Sequence, residues 1–421
     1  MFEKLRIIFK DPDLRKKILF VLGILAIFRL GAAIPIPGVD IIRLKSFFAG
    51  NQFFGLLNIF SGGALDNLSV VMLGVGPYIT SSIIMQLLTM IFPKLKELYH
   101  EEGEAGRQKF NQYSRIFTLP LAVLQGLALL SLLERQGVLI NLTLLDRIAN
   151  VVVVTAGAVF LMWLGELISE YGIGNGVSIM IFAGIVSAIP QAIRQTLFSF
   201  TPAMAPMLVG FLIAAIATVV AVVVITEGER PLPVSYAKRV RGMRVYGGMS
   251  TYLPLKVNQA GVIPIIFALS ILLFPQMIAT ALSGVGGPTT QAVFGSIFAF
   301  FNNPWIYATL YFVLVFLFTY FYTAVTFDPH AISENLQKSG AFVPGIRPGH
   351  STAEFIEKIL SRITLIGAIF LGLIAVLPLA VRAITGMAAL TIGGTALLIV
   401  VSVVLDTVKK IEAQAVMREY D

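Results

Sequence analysis

"FFAGNQFFGLLNIFSGGALDNLS" runs from Phe47 to Ser69. It is apolar up to Phe60, breaks at Ser61-Gly62-Gly63 and turns polar at Asp66-Asn67. A helix needs roughly 20 mostly apolar residues to cross a bilayer, and the run from Phe47 to Phe60 is too short. Whether this stretch crosses, or enters and returns, sets the orientation of every later span.

The chain around it reads as a membrane protein. Hydrophobic residues make up 57% of its 421 residues and charged residues 13%, against roughly one-quarter charged in a soluble domain. Mean hydropathy is +0.86. Long apolar runs recur to the end, and no short cleavable signal peptide stands apart from them. The absence of cysteine excludes disulfides, thiolate chemistry and cysteine-ligated metal, and three scattered histidines do not make a metal cluster. A net charge of +8 can mean nucleic acid, but in a membrane chain basic residues mark the cytoplasmic side.

Hydropathy marks ten spans: Ile18–Ile34, Val70–Phe92, Ile116–Leu133, Ile148–Leu167, Val177–Ile193, Met204–Ile225, Val262–Leu282, Pro304–Val325, Ile363–Leu379 and Met387–Leu405. All are expected to be helices. Backbone polar groups in lipid must be satisfied internally, and no period-two alternation points to a barrel. Lysine and arginine test the count. Ten spans place 24 of the 31 on the N-terminal side and six on the other, with Arg29 near the outer end of the first span. Counting Phe47–Ser69 as an eleventh span inverts all the later spans and leaves ten against 20. The positive-inside rule prefers the first arrangement. The opening stretch therefore does not cross; it re-enters or lies on the outer surface, and both termini are cytoplasmic. Ten spans also divide as five plus five, which makes any duplicated halves inverted, although the letters show no convincing internal repeat.

Four stretches stand out. "LGVGPYITSSIIMQLL" (Leu73–Leu88) puts Gly74, Gly76 and Pro77 in one turn of an apolar segment, suited to helix packing or to lining a pathway. Val75 and Ile79 share a face there, while Thr80, Ser81 and Gln86 lie on others. "WLGELISEYGIGNGVSIMIFAGI" (Trp163–Ile185) joins two spans through Gly172, Gly174 and Gly176, which suit positive φ. Its GxGxG is no nucleotide fingerprint, since no strand–turn–helix unit surrounds it. Glu166 and Glu170 read as snorkelling or capping groups, and Val177 and Ile181 share a face. Thr226–Ala268 interleaves basic residues with tyrosine, and Tyr236 to Tyr246 reads as a β-hairpin whose basic runs suit an acidic partner or RNA phosphates. Asp328–Leu360 holds a polar helix, a Pro/Gly-constrained tip presenting Arg347, and Ser351-Thr352 as the cap of the next helix. An arginine on a rigid tip suits bidentate docking on a carboxylate.

The spans are nearly free of charge at their centres, unlike those of most secondary transporters. No nucleophile–base pair, carboxylate pair or P-loop is present, so the chain is not expected to be an enzyme or to hydrolyse ATP.

Together these stretches resemble the SecY family, the channel subunit of the bacterial protein translocase. "LGVGPYITSSIIMQLL", "GIGNGVSIMIFAGI", "YAKR…STYLPLKVNQAGVIPIIFA" and "KSGAFVPGIRPG" stand in that family's order and spacing, and the likeness covers essentially the whole chain. It implies an all-α polytopic protein with two inverted five-helix halves, residues 1–195 and 196–421, shaped as an hourglass. The waist would be a ring of Val75, Ile79, Val177, Ile181, Ile266 and Ile399. The family favours isoleucine there, and Val75 and Val177 depart mildly. A dry apolar ring bars ions while fitting around a passing chain. The stretch Phe47–Ser69 becomes a re-entrant plug, with Phe54, Leu57, Ile59, Phe60, Gly62, Gly63 and Asp66; its rival is a surface amphipathic helix.

The resemblance places a lateral gate between the second, third, seventh and eighth spans, with Thr80, Gln86 and Asn258 as polar groups. Asn258 alternatively caps the seventh span. The loops at about 226–257 and 327–362 would dock the SecA motor ATPase and the ribosome through Lys238, Arg239, Arg241 and, above all, Arg347. SecE and SecG are implied membrane partners, signal peptides and secretory or membrane proteins are implied substrates, and no cofactor is implied. The implied location is the bacterial inner membrane. The alternative reading is a secondary transporter of small solutes built from inverted repeats.

Overall fold

The structure is a computed structural model. It describes all residues other than 1–10, 41–42, 45–60, 62, 66, 101, 136, 140–142, 199, 237–238, 242–243, 247–249, 283–294, 297–298, 302, 386–393 and 420–421. Each span expected from hydropathy overlaps a helix, the second and tenth over part of their length. The helices are α1 (Pro12–Ala33), α2 (Gly76–Ile91), α4 (Gly103–Arg135), α5 (Leu144–Tyr171), α6 (Gly176–Phe198), α7 (Ala205–Glu227), α8 (Ile263–Leu282), α9 (Pro304–Thr326), α11 (His350–Thr385) and α12 (Gly394–Glu419). Two shorter helices, α3 (Pro93–His100) and α10 (Pro329–Lys338), lie outside the spans.

Local chemistry sets several of the helix starts. Asp11 caps α1 by accepting from the Asp13 amide at 3.0 Å, with Pro12 in the first turn. Asn303 caps α9 in the same way, ahead of Pro304. Among the described residues, five stretches are long and apolar enough to cross a bilayer on their own: Gly103–Glu134, Leu144–Tyr171, Ala205–Glu227, Pro304–Lys338 and His350–Val381.

The second span departs from expectation. Its helix α2 has only 16 residues and bends by 116° into α3. Val70 to Val75, expected as its first turns, is a run of tight turns with Gly74 at φ +60. Irregular backbone at membrane depth survives only when buried in protein with its polar groups paired. Both conditions hold. Leu65, Leu68, Ser69, Val71 and Met72 are buried. The Ile36 amide donates to Leu68 O and the Val70 amide to Ile34 O, each at 2.9 Å, and the Met72 and Gly74 amides close turns on Ser69 O and Val71 O. Gly157 of α5 lets this segment lie against the helix: a Cβ there would stand 2.0 Å from Val70 O. A short helix and a buried irregular segment thus share one crossing.

The first five spans meet the last five along two seams, α2 and α4 against α8 on one side and α6 against α12 on the other. At the end that carries the long basic loops, those loops are built rather than loose. Strand β1 (Glu229–Tyr236) pairs antiparallel with β4 (Ser250–Lys256), and also with β5 (Ala341–Phe342) of the second loop. Pro231 faces Pro254, a position where neither proline costs the ladder a donor. The expected hairpin is present as β2 (Arg239–Arg241) and β3 (Arg244–Tyr246). Beneath the loops Leu232, Leu255, Val343, Ile356, Ile359 and Ile363 form a separate apolar core. Helix α11 begins inside the second loop and runs through the ninth span without a break, so the non-helical part of that loop ends at Gly349. Ser351 and Thr352, expected as its cap, lie within the first turn, because the Gly349 carbonyl already starts the helix by accepting from the Thr352 and Ala353 amides.

Candidate pore and gate

The six residues assigned to the waist come together in one apolar cluster. Val75, Ile79, Ile181, Ile266 and Ile399 are buried in it, at 1–7% exposure, and Val177 packs against it half-buried. They come from α2, α6, α8 and α12, the helices that form both seams between the halves. Val75 is the N-cap residue of α2, and Ile79 follows one turn later with its amide on Val75 O at 3.0 Å. Val177 and Ile181 sit at the start of α6, which is pressed hard against α5. The Gly176 amide donates to Ser169 Oγ at 2.8 Å, and a Cβ on Gly176 would stand 1.8 Å from Gly165 O. Of the three turn glycines only Gly174 has positive φ, at +89. Gly172 and Gly176 are there for close approach: a Cβ on Gly172 would stand 2.5 Å from Ile168 O.

A cleft of about 270 Å³ opens beside this cluster, on the α2–α4–α8 seam. Ile79, Val177, Ile266 and Phe267 are among its apolar lining, and Gln86, Asn111, Asn175 and Ser178 among its polar lining. Glu166 at its edge is not a lone snorkelling group: Arg115 of α4 donates to it at 2.6 Å, tying α4 to α5. Sequence reading missed Tyr78, Asn111 and Asn175 as lining residues. Asn175 had a local signal, standing between two glycines just ahead of a helix, where its side chain accepts from the Ser178 amide. Asn111 had none, because it faces the cleft only through the packing of α4 on α2.

The three polar gate residues do not converge. Gln86 lines the cleft, and its Oε1 is buried without a partner. Thr80 turns its hydroxyl back onto Gly76 O of its own helix. Asn258 is buried ahead of α8, where its Nδ2 donates to Gly261 O at 3.2 Å and its Oδ1 has no partner. It accepts from no helix amide, so it is not the cap of α8.

Of the plug residues, Phe54, Leu57, Ile59, Phe60, Gly62 and Asp66 lie outside the described residues. Gly63 has φ +79 and sits beside Arg29 of α1 and Ser187 of α6. Arg29 Nη2 donates to Ala183 O of α6, so the arginine inside the first span serves a backbone carbonyl across the bundle. Ala64, next in the chain, is buried in the same cluster as the waist residues. Of the basic docking residues, Lys238 lies outside the described residues, Arg239 and Arg241 stand on β2, and Arg347 is exposed on the second loop.

These features define a multi-pass helical membrane protein whose two groups of helices meet along a shared apolar cluster. Comparisons with known proteins agree. The chain matches the SecY family over residues 69–408. It is 45% identical to the protein translocase subunit SecY of Mycobacterium tuberculosis, covering 98% of this chain and 97% of that one. It is 43% identical to the SecY subunit of Corynebacterium glutamicum, covering 98% of each. Among solved structures, one described as a protein-conducting channel superposes with a TM-score of 0.65 at 18% identity, over 94% of this chain and 91% of that one. Sec61 from a canine ribosome–channel complex gives 0.62 at 17% identity, over the same shares. The chain belongs to the SecY family.

Proposed function

We propose that this chain is a protein-conducting channel of the general secretory pathway in the bacterial inner membrane, with both termini in the cytoplasm. The observation that supports the reading is the buried apolar cluster in which the valines and isoleucines of α2, α6, α8 and α12 meet. A ring drawn from both sides of both seams closes when the halves approach and widens when they part. Closed, it offers an ion no polar partner, and desolvating an ion is costly. Open, branched aliphatic side chains can pack around an extended polypeptide of any sequence, because dispersion contacts carry no directional demand.

The residues assigned to the ring are Val75, Ile79, Val177, Ile181, Ile266 and Ile399, and the plug is assigned to about 47–69. The lateral gate lies between α2, α4, α8 and α9, and an apolar segment leaves the channel for lipid through it. The cleft beside the ring supports this: its apolar lining shares Ile79, Val177 and Ile266 with the waist, and its polar lining includes Gln86, whose amide oxygen is unpartnered. A polar backbone entering there finds hydrogen-bonding groups as its side chains meet the apolar lining.

Energy comes from partners. The SecA motor ATPase and the ribosome dock on the basic loops, with Arg347 as the principal contact and Lys238, Arg239 and Arg241 as lesser ones. SecE and SecG are the companion membrane subunits. The test uses a chain that contains no cysteine. One cysteine is placed at Ile266, and a secretory substrate with its own single cysteine is stalled in passage. A disulfide that requires SecA and ATP is expected. Crosslinks only at lipid-facing positions of α7, with none at Ile266, would overturn the pore assignment.

A further inference from the structure

The tip that presents Arg347 is more firmly held than a connecting loop needs to be. It leaves β5, which is tied to β1 of the other long loop through Ser235↔Phe342 and Tyr236↔Ala341. It then makes a turn in which the Ile346 amide donates to Val343 O at 3.1 Å. Pro344 and Gly345 occupy its central positions and Gly345 has φ +84, as a type II turn requires. Val343 and Ile346, at the two ends of the turn, both pack into the apolar core beneath the loops. Arg347 comes next. It is exposed, and its side chain has no partner among the described residues.

Two hydroxyls then fix the backbone at and just after Arg347. Thr352 Oγ1 donates to the carbonyl of Arg347 itself at 2.9 Å. Ser333, reaching from α10, donates to the carbonyl of Gly349 at 2.6 Å. Both residues are only 2% exposed. Neither hydroxyl is needed to start α11, since the Gly349 carbonyl already accepts from the Thr352 and Ala353 amides. A buried hydroxyl is costly unless it finds a partner, and both of these find theirs in the three residues that carry the arginine. The result is a guanidinium mounted on backbone whose ordering entropy is lost on folding rather than on binding.

We propose that Thr352 and Ser333 are positioning residues for Arg347, two buried hydroxyls that clamp its tip so that the guanidinium meets a carboxylate on a protein partner. This rests on the docking role assigned to Arg347 above. Thr352→Val removes the hydroxyl and keeps the shape, so the small core under the loops is preserved. One neutral hydrogen bond supports about a fivefold shift in the population of the ordered tip. The apparent affinity for the partner therefore falls by as much as about fivefold, while the maximal rate is retained. Ser333→Ala acts in the same sense.

The experiment uses the full chain with its companion subunits in proteoliposomes, with SecA as the probe. The SecA concentration giving half-maximal ATP-driven translocation is measured for wild type, Thr352→Val, Thr352→Ser, Arg347→Ala and the Thr352→Val/Arg347→Ala double variant. The expected result is a raised half-maximal concentration for Thr352→Val, restoration by Thr352→Ser, and no further effect of Thr352→Val once Arg347 is alanine. An unaffected Thr352→Val beside an impaired Arg347→Ala overturns this proposal and leaves the docking role standing. Equal losses from Thr352→Val in both backgrounds, or no rescue by serine, show a structural role and also overturn it. A silent Arg347→Ala overturns the docking role and this proposal with it.

Discussion

Ile399→Asn isolates the seal, because Ile399 is 1% exposed and its neighbours in the cluster are apolar. Burying an isoleucine side chain contributes about 1.5–3 kcal/mol to the closed arrangement. An amide in its place loses that contribution and adds about 1–3 kcal/mol for a polar group without a partner. Even the lower ends sum to about 2.5 kcal/mol, at least fiftyfold in an equilibrium where about 1.4 kcal/mol is tenfold. Nearly all of this falls on the closed state. In the open state the amide meets water or a substrate backbone and is satisfied. The open fraction should therefore rise by about two orders of magnitude or more. Single-channel recording of the reconstituted complex in planar bilayers, without motor or substrate, reads this fraction as ion leak. Ile399→Leu keeps volume and apolarity, costs less than about 1.5 kcal/mol, and should stay tight. A leak from the asparagine variant no larger than that of the leucine variant would show that Ile399 is not part of the barrier.

Other parts of the bundle give two more expected outcomes. Gly157→Ala forces a Cβ to within 2.0 Å of Val70 O, so the irregular segment must move off α5; a loss of about 1–3 kcal/mol should appear as a lower Tm of the purified complex. Gly126→Ala meets only side-chain carbons at 3.8 Å and should leave the Tm unchanged. At the start of α5, Thr143 and Asp146 form a capping box. Hydrogen bonds from the Thr143 hydroxyl and amide hold the Asp146 carboxyl below the usual carboxylate range. A lowered folded-state value means that the cap's contribution is fully present above the ordinary carboxylate range and is lost as pH falls through the lowered one. Hydrogen exchange of the first-turn amides of α5 should therefore show protection that falls on acidification, and Asp146→Asn should remove that dependence.

Much of this protein is legible in its letters because a bilayer reads composition directly. Apolar runs of sufficient length must become helices, and the distribution of lysine and arginine orients them. On this basis Phe47–Ser69 is excluded as a crossing, ten spans are marked, each of which overlaps a helix, and the valine and isoleucine pairs at positions 75/79 and 177/181 are read as sharing a face. Motif order in "GIGNGVSIMIFAGI" and "KSGAFVPGIRPG" carried the family, which composition alone does not reach.

What the letters left open depends on contacts between distant segments. Gly176 is a glycine because α6 starts against the backbone of α5, and Gly172 because a Cβ there would meet Ile168 O in its own turn and Val21 of α1; neither has positive φ. The second span is part turn and part helix because residues 34–36 and Gly157 are in place to satisfy and admit irregular backbone. Strand β5 has two residues and no strand signal of its own; it exists because β1 offers it an edge. Thr352 looks like a helix cap until the Gly349 carbonyl is seen to start the helix without it. Hydrophobic length and charge asymmetry act residue by residue against a fixed solvent, so the sequence alone marked the spans and set the expectation for their orientation. Gathering the valines and isoleucines of α2, α6, α8 and α12 into one apolar cluster, and bonding the carbonyls of Arg347 and Gly349 from α11 and α10, are pairings across hundreds and tens of residues, and only the tertiary structure decides them.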